Sequence, residues 1–456
     1  MTDGVVLGPV APASARGWPQ TWRACRLGTL ALVLLAAAFS SPAPTWVPLP
    51  WPGSVLDVAC YLALLVLAVD LWARGWVRPP WILIALGVVS GILAAASAAW
   101  STNPAASWVY AGNSVEGLVL VWMVVAVTRG ESARLVVWAI GLWVVALLVP
   151  CALMWAGVRG FQPPAWLDPE SGDYISYFAR LSHPWIGRSN NPATLFVVAV
   201  VPLAAWGVRH RARFAQVLAS VALVATVMTV SRGTLLALAA GAVFLAIVAW
   251  PLARSLRRWA LAALGASVVA LVLMYLLNPA SRMHLSSRAS ATNVDARFVL
   301  VSDALADIGR APWRGTGPSV TPSVHNVLLQ QLVDFGVVGG LVVDVLLVAV
   351  VVWWFRGPRR RGPAGWLAVA CGVGIAVQLG SCLVEASYEG GFLRTLMWLS
   401  WGLLLALYAR ERHAEEHRSP SSGTRVTRPG PAASPRPPRP RGPRRRASGT
   451  AAARGS

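Results

Sequence analysis

The stretch SVHNVLLQQLVDFGVVGG, residues 323–340, sets His325 and Asn326 at the mouth of a long apolar run. An imidazole gains nothing from lipid, but its unperturbed pKa of about 6.5 suits it to taking a proton from an attacking hydroxyl. General-base help of that kind is worth roughly 10²–10⁴-fold in rate. Two arginines stand in comparable places. Arg232, in MTVSRGTLLAL, lies at a tight turn between two apolar segments, and Arg297 opens an amphipathic stretch ahead of His325. A guanidinium stays charged at any relevant pH and forks onto phosphate oxygens. Two of them at a lipid–water boundary can hold a lipid-linked pyrophosphate and stabilise the charge that builds on it as it leaves. Taken singly, a loop histidine is usually a surface residue and an outer arginine usually reaches for headgroups. His183 and His284 fit that plainer description.

The elements that must position these groups are membrane helices. The chain has 456 residues, of which 56% are hydrophobic and 12% charged. A bilayer-spanning helix needs roughly 20 apolar residues, and such runs recur near 27–41, 54–73, 80–100, 113–128, 135–157, 192–208, 214–231, 233–253, 259–278, 336–355, 364–384 and 391–409. The runs lack the two-residue alternation of a transmembrane barrel. The expectation is an all-α polytopic membrane protein with about twelve spans over 1–410. The tail 411–456, rich in Pro, Arg, Ser and Gly, has too little apolar surface for a core and reads as disordered and cytoplasmic.

Arginine sets the topology. With Arg16, Arg23 and Arg26 in the cytoplasm, every second loop is basic: 74–78, 129–134, 209–213, 254–258 and 356–361, and the tail as well. Loops 42–53 and 101–112 carry no arginine. This register satisfies the positive-inside rule and puts both termini in the cytoplasm. It also places Arg232, Arg297 and His325 on the outer face of a plasma membrane. The net charge of +21 comes entirely from arginine, and topology explains it better than a nucleic-acid groove.

Two outer loops are long, 158–191 and 279–335, and loops of such length are usually functional. Within the second, Phe298, Val301, Leu305 and Ile308 share one helical face over 295–308. Thr292 or Asn293 can cap that helix, and Gly309 with Pro312 ends it. The five cysteines, Cys25, Cys60, Cys151, Cys371 and Cys382, show no metal or disulfide spacing and read as small buried hydrophobes. Asp57, Glu116 and Asp344 lie in or near spans, where carboxylates are functional suspects. Asp70 and Arg74 are spaced to pair on one helix, and Glu385, Glu389 and Arg394 form an outer cluster.

These motifs together resemble the O-antigen ligase and polymerase superfamily. VHNVLLQQLVDFGVVGG is similar to its His-Asn-x-x-Leu-Gln…Gly-x-x-Gly signature, SRGTLLAL to its Ser-Arg-Gly element, and RFVLVSDALADIGRAPWRGTGP to the stretch that precedes the histidine. AAWSTNPAASW (98–108) and NNPATLF (190–196) are weaker echoes. Asp334 stands where the family often has glutamate, and Trp313 and Arg314 where it often has Leu or Phe and Gly. The resemblance implies a GT-C-like bundle with a large outer loop between spans 9 and 10. It implies a metal-independent, inverting glycosyl transfer without cofactor, from an undecaprenyl-pyrophosphate-linked glycan to an acceptor hydroxyl. On this chain Arg232 and Arg297 would engage the pyrophosphate and His325 would be the base. Arg314, Asn326 and Arg188 are the expected substrate-binding residues. The acceptor is open: a lipid A core sugar, a growing polysaccharide or a protein hydroxyl. Two rivals come from other classes. A twelve-span secondary transporter would show paired halves and polar residues at the midplane, and a structural scaffold would be indifferent to alanine at His325, Arg232 and Arg297.

Overall fold

The computed structural model describes residues 20–39, 55–74, 77, 79–162, 178–186, 190–248, 250–282, 292–318, 324, 326–356, 363–383 and 391–418. Among them are thirteen helices and no strand. They are α1 (Gln20–Phe39), α2 (Val55–Arg74), α3 (Trp81–Ser97), α4 (Pro104–Val127), α5 (Ala133–Trp155), α6 (Asn190–Arg209), α7 (Arg213–Met228), α8 (Arg232–Val248), α9 (Trp250–Leu277), α10 (Thr292–Arg310), α11 (Val327–Arg356), α12 (Pro363–Cys382) and α13 (Gly391–Arg418). Twelve coincide with the expected spans, and α10 is the amphipathic helix of the long loop. Apolar rows such as Val338, Leu341, Val345 and Val348 of α11 are about half exposed or more. Only a hydrocarbon solvent makes that arrangement stable. The protein is an all-α polytopic membrane protein.

Small residues let the inner helices approach closely, as lipid-embedded packing requires. A Cβ on Gly117 of α4 would lie 2.5 Å from the Trp398 ring, and one on Gly374 of α12 would lie 2.6 Å from the Val198 carbonyl of α6. Contacts between side chains at helix ends group the connections of the bundle. At one end Arg23 of α1 grips Glu131 with bonds of 2.9 and 2.6 Å, and Arg134 lies over the Phe214 ring. His210 meets Glu411 there at 3.0 Å, and Glu415 accepts from the Ala364 N–H. This is the end that the arginine register assigns to the cytoplasm.

Several boundaries differ from the sequence reading for local reasons. The basic segment 254–258, expected as a loop, is the start of α9, because Pro251 suits the first helical turn and Ala, Leu and Arg propagate it. α4 begins at Pro104, nine residues early, with Asn103 accepting from the Ala106 N–H as its cap. α13 runs through Arg418, into the segment expected as tail. Asp70 faces Arg26 across helices at 3.7 Å; the Arg74 and Asp57 side chains lie outside the described residues. Cys25 is exposed, unlike the other four cysteines, because it sits on the outward face of α1. On α10 the packed row is Val301, Ala304 and Ile308, set against Val324, Leu329 and Val333. Phe298 and Leu305, expected on that face, are 70% and 58% exposed at its edge.

The largest departure is in α11. It starts at Val327, two turns before the expected 336, and bends at Gly336, whose φ of 74° and ψ of 176° are non-helical. The bend takes the Val337 N–H out of the helical ladder and onto the Pro312 carbonyl at 2.7 Å. The freed Val333 and Asp334 carbonyls accept from the Thr316 and Gly317 N–H groups at 2.9 and 3.0 Å. Loop 312–317 is thereby stitched into the kink. Gly315 (φ 68°) lies so close that a Cβ there would sit 2.5 Å from the Asp334 carbonyl, and one on Gly336 would sit 2.6 Å from the Trp313 carbonyl carbon. Only glycine combines that backbone with that contact. Gly336→Ala and Gly315→Ala are each expected to cost at least about 2 kcal/mol. Thermal unfolding in detergent measures this, with Gly265→Ala, in open space on α9, expected to stay within ~1 kcal/mol of wild type.

Candidate functional site

The end opposite the basic staples collects most of the chemistry-bearing residues in two units. The first is the turn between α7 and α8. Val230 there holds a left-handed φ of 52°, a strained state for a β-branched residue and one that clusters at functional sites. Buried Ser231 caps α8: its carbonyl accepts from the Leu235 N–H and its hydroxyl lies 2.9 Å from that of Thr234. Arg232 follows as the first residue of α8 and is exposed. A guanidinium beside the free N–H groups of a helix N-terminus makes a positive corner suited to an anion.

This turn rests on the segment 178–186. The Leu181 N–H donates to the Met228 carbonyl at 3.0 Å. Asn278 and Ser281, at the end of α9, donate to the Phe178 and Ala179 carbonyls at 2.7 and 2.6 Å. His183, expected at the surface, is fully buried. Its Nδ1 accepts from the Trp185 and Ile186 N–H groups at 3.3 and 3.2 Å, and the Trp185 ring packs on Phe161 and Phe39. The histidine is an internal brace for a loop whose backbone N–H groups need an acceptor. Arg180 is buried in the same segment.

The second unit is the kink of α11 with its stitched loop. Trp313 and Arg314 project outward, Trp313 with 78% of its surface exposed. The Arg314 carbonyl is held by the Trp100 indole N–H at 3.0 Å, which anchors the loop to the α3–α4 connection. Asn326 caps α11: its Oδ1 accepts from the Leu328 and Leu329 N–H groups at 3.0 and 3.1 Å. Gln330, one turn on, accepts from the Val324 N–H at 3.2 Å and donates to Asp334 Oδ1 at 2.8 Å. Beneath lies a buried polar layer. Tyr110 of α4 donates to Gln331 at 3.1 Å, the Arg394 guanidinium of α13 lies over the Tyr110 ring, and Thr395 donates to Glu116 at 3.2 Å. A cation on an aromatic face is stabilised most where water is excluded.

Of the residues singled out from sequence, Arg314 and Asn326 meet in the kink unit, and Arg232 shares their end of the bundle on the other unit. Among the described residues no hydrogen bond or ion pair joins Arg232 to Arg314 or Asn326. Arg297 lies in α10, and its side chain is outside the described residues, as are His325, Arg188, His284, Glu385 and Glu389. The supports Trp100, Tyr110 and Gln331 were not among the expected site residues. Their signal was faint: Trp100 and Tyr110 lie in or just after the 98–108 echo, and Gln331 is a polar residue near the mouth of an apolar run. Asp344 is buried within α11.

Residues 217–344 match the family model of the O-antigen ligase domain, Wzy_C. That segment is similar to an O-antigen ligase domain. The matched segment runs from α7 to the middle of α11 and takes in Arg232, Arg297, Arg314, His325, Asn326, Gln330 and Asp334. The echoes at 98–108 and 190–196 lie outside it, as do Tyr110 and Arg394. No curated protein matches the chain. The match supports a membrane enzyme of the ligase or polymerase type.

Burial pulls the His183 pKa down to about 3. The unfolded chain takes up a proton near pH 6.5, which the folded chain refuses until about pH 3. Stability from this brace is therefore complete above about 6.5 and is lost as pH falls across that window. The midpoint of thermal unfolding is expected to drop between pH 7 and pH 4, and His183→Asn, which keeps an acceptor but does not titrate, should flatten that part of the profile.

Proposed function

We propose that the protein is an O-antigen ligase-like glycosyltransferase on the outer face of the plasma membrane. It moves a glycan from undecaprenyl pyrophosphate to an acceptor hydroxyl. His325 takes the acceptor proton, and the acceptor oxygen attacks the anomeric carbon from the side opposite the leaving group. The bond from that carbon to the pyrophosphate oxygen breaks, its electron pair passes to the pyrophosphate, and the configuration inverts. Arg232 and Arg297 meet the charge that accumulates on the diphosphate, so neither the clamp nor the base requires a metal or cofactor. Arg314, Asn326 and Arg188 belong to the substrate-binding surround.

The observation that carries this reading is the placement of Arg232. An exposed guanidinium stands at a strained turn and a helix N-terminus, on the same bundle end as the loop bearing Arg314. Outer-side arginine runs against topological bias, and an anionic lipid-linked donor at that depth supplies a reason for it. The family match over 217–344 supports the same chemistry. Ligase, polymerase and protein O-oligosaccharyltransferase share this step and differ in the acceptor.

Reconstituted in nanodiscs with a fluorescent undecaprenyl-pyrophosphate-linked oligosaccharide and an oligosaccharide acceptor, the wild type should release undecaprenyl pyrophosphate as it transfers sugar. His325→Ala should lose roughly 10²-fold or more in kcat, and Arg232→Ala a comparable factor. Arg314→Ala should raise the donor KM. Full turnover in both His325→Ala and Arg232→Ala would refute the assignment. Uptake of a labelled solute into vesicles, retained by both variants, would favour a transporter.

A further inference from the structure

Gln330 and Asp334 are both 3% exposed, one turn apart on the first two turns of α11. A glutamine–carboxylate pair at this spacing on a helix surface is worth only a few tenths of a kcal/mol. Here the pair is buried, where a carboxylate costs free energy unless it is fully met, and where apolar residues of similar volume would pack at least as well against the neighbouring Val333 and Leu329. The bonds show what the polar pair does that an apolar pair would not. Asp334 Oδ1 is an acceptor, so the Gln330 amide must turn its NH2 toward it. That turns Gln330 Oε1 the other way, out of the helix, onto the Val324 N–H. Asn326 holds the chain from the opposite side through its cap on Leu328 and Leu329. The chain is thus hydrogen-bonded on both sides of position 325. Asp334 is itself fixed, since its carbonyl accepts from Gly317 in the kink stitch, so the same turn of helix holds both Val324 and the loop that bears Arg314.

We propose that Gln330 and Asp334 are positioning residues of the transfer site. Asp334 sets the direction of the Gln330 amide, and that amide holds the chain at Val324 so that the residue following it meets the acceptor hydroxyl. This rests on the proposed role of His325 as base. Neither residue touches substrate in this scheme, so the pair governs kcat and leaves donor binding alone.

Donor–acceptor exchange tests it. Gln330→Glu puts a carboxylate oxygen where the NH2 faced Asp334 and breaks the pair. A base displaced by about 1 Å can lose ~10²-fold in rate, so kcat in the glycan-transfer assay should fall by about that factor, with the donor KM within about threefold of wild type. The double variant Gln330→Glu/Asp334→Asn exchanges donor and acceptor, restores both hydrogen bonds and should recover kcat to within roughly tenfold of wild type. Thermal midpoints of all variants separate this from unfolding: a purely structural pair would move the midpoint and not the ratio of kcat to KM. The proposal is overturned if His325→Ala is inactive while Gln330→Glu turns over normally, or if the double variant is no better than the single one. A fully active His325→Ala would instead bring down the assignment of the base, and this proposal with it.

Discussion

The loop-bearing end of this bundle hangs on an exchange of backbone hydrogen bonds at one bend. Gly336 takes α11 out of helical geometry, and three groups that a straight helix would pair internally are released. At the rim of a bilayer there is little water to satisfy them, and an unpaired buried carbonyl or N–H costs several times what a bond gains. Loop 312–317 supplies the partners: the Pro312 carbonyl for Val337, and the Thr316 and Gly317 N–H groups for Val333 and Asp334. The stitch is reciprocal. The helix cannot keep its bend without the loop, and the loop has no other ladder to join. The glycines at 315 and 336 follow from this geometry, because two backbones in contact leave no room for a side chain between them.

The two ends of the bundle use charge differently. At the basic end, arginines are tied to carboxylates: Arg23 and Arg26 approach Glu131, Arg26 also approaches Asp70, and His210 meets Glu411. Those contacts join α1, α2, the α4–α5 connection, α6 and α13, and a buried pair of this kind fixes register more than it adds stability. At the other end Arg232 and Arg314 are exposed, each carried on backbone that is held from behind: Ser231 and the 178–186 segment for one, Trp100 and the kink for the other. The backbone is held from behind at both positions, while each guanidinium stays exposed.

Much of this was written in the sequence, and what was missed has physical causes. The apolar runs located the helices, and among the described residues seven of them are long and apolar enough to cross a bilayer. The amphipathic loop helix was legible as a helix, but its packed row was not. Val301, Ala304 and Ile308 face the protein, while Phe298 and Leu305 border it, and beside a membrane an apolar residue has two places to be buried. The early start of α11 was hidden by Asn326: read as a ligand-binding neighbour of a histidine, it is also an N-cap, and capping asparagines look the same in a sequence. His183 was misread as a surface residue because its burial comes from packing of this segment on Phe39 and Phe161, far off in the chain, although its N–H partners Trp185 and Ile186 are local. Trp100, Tyr110 and Arg394 come from helices far apart in the chain, and only packing brings them beneath the kink.

That last point bears on how such a site persists. The matched O-antigen ligase segment ends within α11, yet its loop is pinned by Trp100 and its first turns are backed by Tyr110 and Arg394, all outside the segment. These supports act through general properties: an indole N–H within reach of a carbonyl, a phenol hydroxyl facing an amide, a cation over a ring. Different residues can meet such needs, so a support of this sort leaves a weak trace in sequence. The glycines at 315 and 336 have no such latitude, because each combines a positive φ with a backbone contact that excludes a Cβ. The motif is accordingly most rigid where two backbones touch, and the scaffold around it is visible only in three dimensions.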